Sequence, residues 1–218
     1  MVVMKEAHNL PCRCERLHHG CRRIVVTGGP GAGKTAILEL TRRVFCPHVA
    51  VLPESAGIIF RGGFWRKSSL PARRAAQRAI YYVQHELEQM VAEEKTSAVA
   101  LCDRGSLDGL AYWPGSKDSF FKHLKTSEAN ELARYHAVIH LRTPSTAIGY
   151  DHSNPLRVES QEEAVLIDKR LETVWKRHPR RYIVECTPSF FEKAQIAIDL
   201  IEREVPPCCR LAESMRFV

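Results

Sequence analysis

The sequence predicts an α/β protein, a three-layer sandwich in which a five-stranded parallel sheet lies between two layers of helices. Three observations support this: short apolar runs recur along the chain, helical patterns separate them, and a glycine-rich loop joins the first run to the first helix. Parallel strands need right-handed crossover connections, so we expect the order 2-3-1-4-5 with the first strand central. The predicted strands are residues 24–27, 49–52, 98–102, 137–141 and 182–185.

The loop after the first strand has the spacing of a phosphate-binding P-loop, with Gly28 followed after four residues by Gly33, Lys34 and Thr35. Glycines let backbone amides and phosphate oxygens approach closely, and the following helix directs its positive end at the anion. Lys34 is placed to bind the β- and γ-phosphates, and the Thr35 hydroxyl to bind Mg²⁺. The strand before and the helix after favour this interpretation over a simple turn. The predicted nucleotide-binding residues are Gly28, Gly29, Pro30, Gly31, Ala32, Gly33, Lys34 and Thr35.

Charged residues follow the second and third strands, and functional groups of open α/β sheets collect at such carboxyl ends. Glu54 can take a proton from a substrate hydroxyl or hold a metal-bound water; the alternative is a carboxylate that complements a helix dipole. Asp103 stands where a Walker-B-type aspartate holds Mg²⁺, and Arg104 can stabilise phosphate charge. The alternative for that pair is an N-cap aspartate beside a surface arginine. We predict catalytic roles for all three.

A long helix is predicted over residues 72–95, after an irregular segment, 57–71, that could cover a substrate. Gln77, Tyr81 and Gln84 fall on one face of this helix. Such a stripe is either a solvated face or a surface that reads a base or sugar, and the sequence leaves both interpretations open.

The fourth strand is followed by Arg142, predicted to bind the nucleotide, and then by a proline-containing lid at about residues 145–160. The lid carries Arg157, for which we predict a catalytic role at the transferring phosphoryl group. Helices are expected over residues 165–177 and 190–204.

The two ends of the chain are expected to lie outside the domain, which we place at residues 23–204. Residues 1–22 are predicted to form a flexible extension, and residues 205–218 a C-terminal tail. The extension contains a cysteine and histidine cluster whose irregular spacing favours a flexible tail over a zinc site. Its members are Cys12, Cys14, His18, His19 and Cys21.

Composition limits the possible partners and compartment. The net charge of +7 favours anionic partners, but a nucleotide site and basic tails can account for much of it, so nucleic acid is not inferred. No apolar run reaches the length of a membrane span, and the N-terminus has no apolar signal region. With eight cysteines and no secretory signal, we expect reduced thiols and a cytoplasmic location. The oligomeric state is not indicated.

Several motifs together resemble the AAA-type ATPase domain family of P-loop kinase-like proteins, which neighbours nicotinamide-ribonucleotide, ribosylnicotinamide and nucleoside kinases. The similarity covers about residues 23–204. Where the family usually has an arginine shortly after its Glu-Ser pair, this chain has Gly57, and Arg61 is the candidate substitute. The matching motifs are residues 28–35, Leu52-Pro53-Glu54-Ser55-Ala56, Asp103-Arg104-Gly105 with Asp108 and Tyr112-Trp113, and residues 154–159.

The resemblance implies a P-loop NTPase fold, with Lys34 and Thr35 on the triphosphate and Mg²⁺, Glu54 and Asp103 beside the reaction centre, and Arg157 in the lid. The leading hypothesis is phosphoryl transfer from Mg-ATP, with GTP as an open alternative, to a small nucleoside-, nucleotide- or metabolite-like acceptor. The second hypothesis is a regulatory protein whose slow ATP or GTP hydrolysis gates a protein or lipid partner.

Two further classes are disfavoured. The absence of an Asn-Lys-x-Asp motif argues against a conventional GTPase, though not against GTP as a ligand. An oligomeric AAA+ motor is disfavoured because no helical lid domain follows residue 204.

Overall fold

The computed structural model describes residues 20–144 and 160–210 and contains a five-stranded, entirely parallel sheet. The strand order is β2-β3-β1-β4-β5, so the predicted fold class and topology are confirmed. The strands are β1 (Arg22–Thr27), β2 (Val49–Leu52), β3 (Val99–Asp103), β4 (Ala137–Leu141) and β5 (Arg181–Val184).

Helices connect these strands. The sequence predicts only the first of the three short helices between β3 and β4, because helices of five to eight residues carry little periodic pattern. The eight α-helices of the described residues are α1 (Lys34–Val44), α2 (Ser55–Arg61), α3 (Leu70–Glu94), α4 (Asp108–Tyr112), α5 (Lys117–Leu124), α6 (Glu128–Ala133), α7 (Gln161–Val174) and α8 (Phe190–Glu204).

Helix α7 begins four residues before the predicted start at residue 165 and ends three before residue 177. Its N-terminus is fixed by a capping box, in which the Ser160 hydroxyl accepts the Glu163 N–H and the Glu163 carboxylate accepts the Ser160 N–H. The cap, rather than the apolar pattern, therefore sets the start of this helix.

The sheet is covered on both faces, and each face has its own apolar core. Ile24 and Val26 of β1 point to the core formed with α1 and α8, whereas Val25 points to the opposite core, which contains Trp175. Such two-sided burial explains why the central strands are continuous apolar runs. Val205 and Cys209, expected in the C-terminal tail, are only 1% and 2% exposed and belong to the α1–α8 core.

The topology brings the carboxyl ends of β1, β2, β3 and β4 to one edge of the sheet, where the P-loop leaves β1. Most of the predicted lid, including Arg157, and most of the N-terminal extension lie outside the described residues. Among the described helices, none combines the length and apolar character that a membrane span requires.

Candidate functional site

A cavity of about 780 Å³ lies at this edge of the sheet. The P-loop forms one side, which we call the P-loop wall and define as residues 28–35. Helices α2, α3 and α4 form the other side. We call it the helical wall and define it by its polar and aromatic side chains Ser55, Gln77, Tyr81, Gln84 and Tyr112.

No side chain fits at Gly28, Gly29 or Gly33 of the P-loop wall, and Gly28 and Gly33 also have a positive φ. Gly28 has φ 140°, and a Cβ there would lie 2.1 Å from the Leu141 carbonyl oxygen. Gly33 has φ 91°, and a Cβ there would lie 2.7 Å from the Phe190 ring. These positions let the chain curve tightly between β1 and α1, which leaves the loop amides at the start of a helix.

Lys34 lies across this loop and is only 7% exposed. Its ammonium group donates hydrogen bonds to the carbonyl oxygens of Gly28 at 2.8 Å and Gly29 at 2.9 Å. Burial and the nearby charge of Arg104 lower the pKa of Lys34 to about 8, while Asp103 and other carboxylates oppose that shift. The group is therefore a cation at neutral pH, held directly at the loop. Thr35, next along, is exposed and lines the same cavity.

Asp103 is the last residue of β3, and its neighbour in the sheet is Val26. Its Oδ1 is buried and has no hydrogen-bond partner among the described residues. Burial, reinforced by the nearby Glu54 charge and opposed by Lys34, raises the pKa of Asp103 to about 6. Since the cap residue of the next helix is Leu107, Asp103 is not an N-cap aspartate. A buried carboxylate oxygen without a partner suits a divalent cation.

Glu54 and Arg104 form an ion pair in the cavity wall, with 2.7 Å between Arg104 Nε and Glu54 Oε1. Burial opposes ionisation of Glu54, but the charge and hydrogen bond of Arg104, with Lys34 and Arg61, hold the pKa of Glu54 below its usual value. Glu54 occupies the N-cap position of α2 but makes no side-chain capping bond. Its carboxylate lines the cavity and makes no hydrogen bond to the helix end.

Arg104 is held in place from several directions. Its backbone has φ 74° and donates to the Val26 carbonyl, and its Nη1 donates to the Tyr112 hydroxyl at 3.2 Å. The side chain is 18% exposed, so it is not a surface arginine. The sequence-predicted Glu54, Asp103 and Arg104 thus meet the P-loop wall in one cavity.

Asp108 joins the first helix after β3 to the central strand beneath the cavity. Its carboxylate accepts hydrogen bonds from Thr27 Oγ1 at 2.9 and 3.0 Å and from Trp175 Nε1 at 2.6 Å. Its two oxygens thus have partners from β1 and from the end of α7. This residue of the family motif holds the site together.

The helical wall is polar but largely shielded from solvent. Gln84 is 3% exposed, receives a hydrogen bond from Ser55 Oγ at 2.7 Å and donates to Glu88 Oε1 at 2.9 Å. The Tyr81 hydroxyl donates to Glu131 Oε1 at 2.7 Å. The solvated-face interpretation of this stripe is therefore wrong for Tyr81 and Gln84, because both are buried and face the cavity.

Arg142 does not line the cavity. Its Nη1 lies 2.7 Å from Glu172 Oε2 and 3.4 Å from Asp168 Oδ2, on the side of α7. Asp168 in turn accepts the Gly29 N–H at 3.0 Å and contacts His140 Nε2 at 2.9 Å. The Arg142 side chain thus reaches the P-loop through Asp168, and its backbone carbonyl accepts a hydrogen bond from Lys193, which also donates to the P-loop carbonyl of Ala32.

Two residues that sequence reasoning missed hold the P-loop from behind. Asp168 holds the Gly29 amide, and Lys193 of α8 donates to the Ala32 carbonyl at 3.0 Å. A signal was present, because each is a charged residue in the buried stripe of an amphipathic helix: Asp168 lies between Ala164 and Leu171, and Lys193 precedes Ala194.

Comparison with known proteins gave one family and a set of similar structures. Residues 23–193 match the family model described as an AAA domain. A search of curated proteins gave no significant match. Thymidylate kinase from Candida albicans superimposes with a TM-score of 0.61 at 13% identity, covering 89% of this chain and 98% of that one. Thymidylate kinase from Ehrlichia chaffeensis gives 0.53 at 15% identity, covering 84% and 99%. These likenesses show the fold.

Proposed function

The chain belongs to the AAA domain family that its residues 23–193 match, within the P-loop kinase-like proteins, and we propose that it transfers a phosphoryl group from Mg-ATP to a small acceptor. The acceptor would be a nucleoside, a nucleotide or a similar metabolite. One observation carries the proposal: the cavity does not end at the P-loop but continues to a second, polar wall on α3.

The dimensions and lining of the cavity suit two reactants. Small-molecule sites usually enclose about 300–1,000 Å³ and combine apolar surface with a few fixed polar groups. This cavity of about 780 Å³ has fixed polar groups on both sides, Lys34 on the P-loop wall and Gln84 on the helical wall. A protein that only senses nucleotide has no need for the second set.

Catalysis in such a site is mainly positioning and charge neutralisation. Lys34 and the loop amides would hold the phosphates of the donor. Arg104, fixed by Glu54, would present its charge to the transferring group. Glu54 is ionised at neutral pH because its pKa is lowered, so it would orient an acceptor hydroxyl by accepting its hydrogen bond.

Asp103 and Thr35 would hold the magnesium ion, which bridges and neutralises donor phosphates when bound. The buried Asp103 Oδ1, which lacks a partner among the described residues, is the observation that fits this role. Because burial opposes ionisation of this carboxylate, a neighbouring cation would favour its charged form.

We extend the proposal to two arginines. Arg142 would act indirectly, by holding Asp168 against the loop amide of Gly29. Arg157, in the segment outside the described residues, would bring a cation to the transferring phosphoryl group when the lid closes.

A phosphotransfer assay tests the proposal. Purified full-length protein is incubated with Mg²⁺, γ-labelled ATP or GTP, and a panel of nucleosides, nucleoside monophosphates and other hydroxyl metabolites. We expect labelled product with at least one acceptor class, and product formation roughly 10²–10³-fold slower in a folded Lys34→Ala protein. Slow release of labelled phosphate that no acceptor changes would contradict the kinase and support the regulatory alternative.

A further inference from the structure

A second cluster of ligand-type side chains lies at the end of α1 remote from the P-loop. Cys46 and His48 stand in the connection between α1 and β2, and Cys209 stands in a 3₁₀ turn, Pro207–Cys209, that follows α8. One ligand atom from each lies within 4.8 Å of the other two. We propose that these three residues bind a zinc ion.

The separation between Cys209 and His48 matches that of a tetrahedral thiolate and imidazole site. With Zn–S bonds of about 2.3 Å and Zn–N bonds of about 2.0–2.1 Å, tetrahedral ligand atoms lie roughly 3.5–3.8 Å apart. Cys209 Sγ lies 3.8 Å from His48 Nδ1. Cys208 Sγ lies 3.7 Å from Cys209 Sγ but is not within 4.8 Å of all three ligand atoms, so we assign the fourth position to a water molecule.

The donor set selects the metal. Two thiolates and one imidazole suit zinc or another soft ion, and disfavour the hard Mg²⁺ that carboxylates and phosphates prefer. Thiols lose their protons when they bind a metal, so affinity should fall as the pH is lowered.

The location argues against cysteines that merely fill a core. A buried cysteine commonly packs as a small hydrophobe, and Cys46 and Cys209 do belong to the α1–α8 core. That role does not require a histidine nitrogen beside the two sulphurs. Here the ligands converge from two segments that are distant in sequence, since His48 and Cys209 are 161 positions apart. Prolines border both segments and restrict their backbones.

The site would have a structural effect. The ion would join the last described segment of the chain to the end of the P-loop helix, and metal that binds only the folded state stabilises it. Nothing in this inference rests on phosphoryl transfer, because the cluster is separated from the P-loop by the whole of α1, roughly 16 Å for its 11 residues.

The test uses reduced full-length protein with Co²⁺ as a spectroscopic probe and Zn²⁺ as competitor. We expect thiolate-to-cobalt charge-transfer bands that saturate at one equivalent and disappear when Zn²⁺ is added. Cys209→Ser and His48→Gln should each lose or strongly weaken these bands. Zn²⁺ should raise the melting temperature of the wild type and leave that of both variants unchanged.

Two matched controls separate this cluster from other thiols. Cys21→Ser alters a half-buried cysteine on the opposite core, and a Cys12→Ser, Cys14→Ser double variant removes thiols of the N-terminal extension. Both should keep the bands. The proposal is overturned if reduced wild type shows no thiolate band, or if the bands survive unchanged in His48→Gln. His48→Gln keeps the test decisive if Cys209→Ser does not fold.

Discussion

The P-loop wall and the helical wall face each other across one cavity, but they are held in place by different means. The P-loop wall is a contiguous segment whose shape follows from glycines and from its position between β1 and α1. The helical wall is held by hydrogen bonds between side chains distant in sequence, Ser55 to Gln84 and Tyr81 to Glu131. Under the proposed function, damage to the P-loop wall should affect donor binding. Damage to the helical wall should affect acceptor binding or stability.

The largest loss of activity that would distinguish the roles of the two walls is expected from a substitution of Lys34. Lys34→Ala removes the cation at the loop, and we expect turnover to fall by roughly 10²–10³-fold, with a matching loss of ATP affinity. Lys176→Ala, which removes an exposed lysine from the turn that follows α7, should change neither quantity. A folded Lys34→Ala protein with wild-type ATP affinity in calorimetry would contradict the claim that the P-loop wall binds the nucleotide.

The next effect concerns the helical wall and appears as a pH dependence of stability. Glu131 is buried, which opposes ionisation, but bonds from His85, Ser106, Tyr81 and Thr126 lower its pKa from 4.5 to about 2. Because folding lowers this pKa, the ionised carboxylate stabilises the folded protein above pH 4.5, and its contribution is lost as the pH falls towards 2. We expect this contribution to the free energy of unfolding to reach about 3 kcal/mol.

Glu131→Gln should therefore lower the free energy of unfolding most at neutral pH, and the difference from wild type should vanish near pH 2. Denaturant titrations at several pH values measure this. ATP affinity should be unaffected in Glu131→Gln. A constant difference at every pH would mean that the carboxylate bonds do not support the helical wall.

A smaller effect is expected behind the P-loop wall. Asp168→Asn weakens the partner of the Gly29 amide, and we expect a loss of ATP affinity of about 10-fold, the scale of one buried hydrogen bond to a charged group. Glu172→Gln is the matched control, because Glu172 also binds Arg142 but has no bond to the loop in the described structure. Equal losses in both variants would indicate that Arg142, rather than the Asp168 bond to the loop, controls nucleotide binding.

The same contrast explains what could be predicted from sequence. The P-loop, the five strands and their order follow from contiguous patterns, and so do Asp103 and Glu54, which lie at or just beyond strand ends. The roles of Tyr81 and Gln84 stayed open, because helical spacing defines a face but not what that face contacts. Asp168 was missed because its partner, the Gly29 amide, is 139 residues away. The burial of Val205 and Cys209 also depends on long-range packing, here of Cys209 beside His48.

The central claim is that this cavity transfers a phosphoryl group to an acceptor, and Glu54→Gln tests it most directly because Glu54 is the group proposed to orient the acceptor hydroxyl. The substitution keeps the size of the side chain and removes its charge. ATP affinity and acceptor phosphorylation are measured on the same preparation, with the exposed Glu39→Gln as control. We predict near-unchanged ATP affinity and a loss of transfer of about 10²-fold, the usual scale for one acid–base group. Transfer at the wild-type rate, or a loss fully explained by weaker ATP binding, would contradict the account.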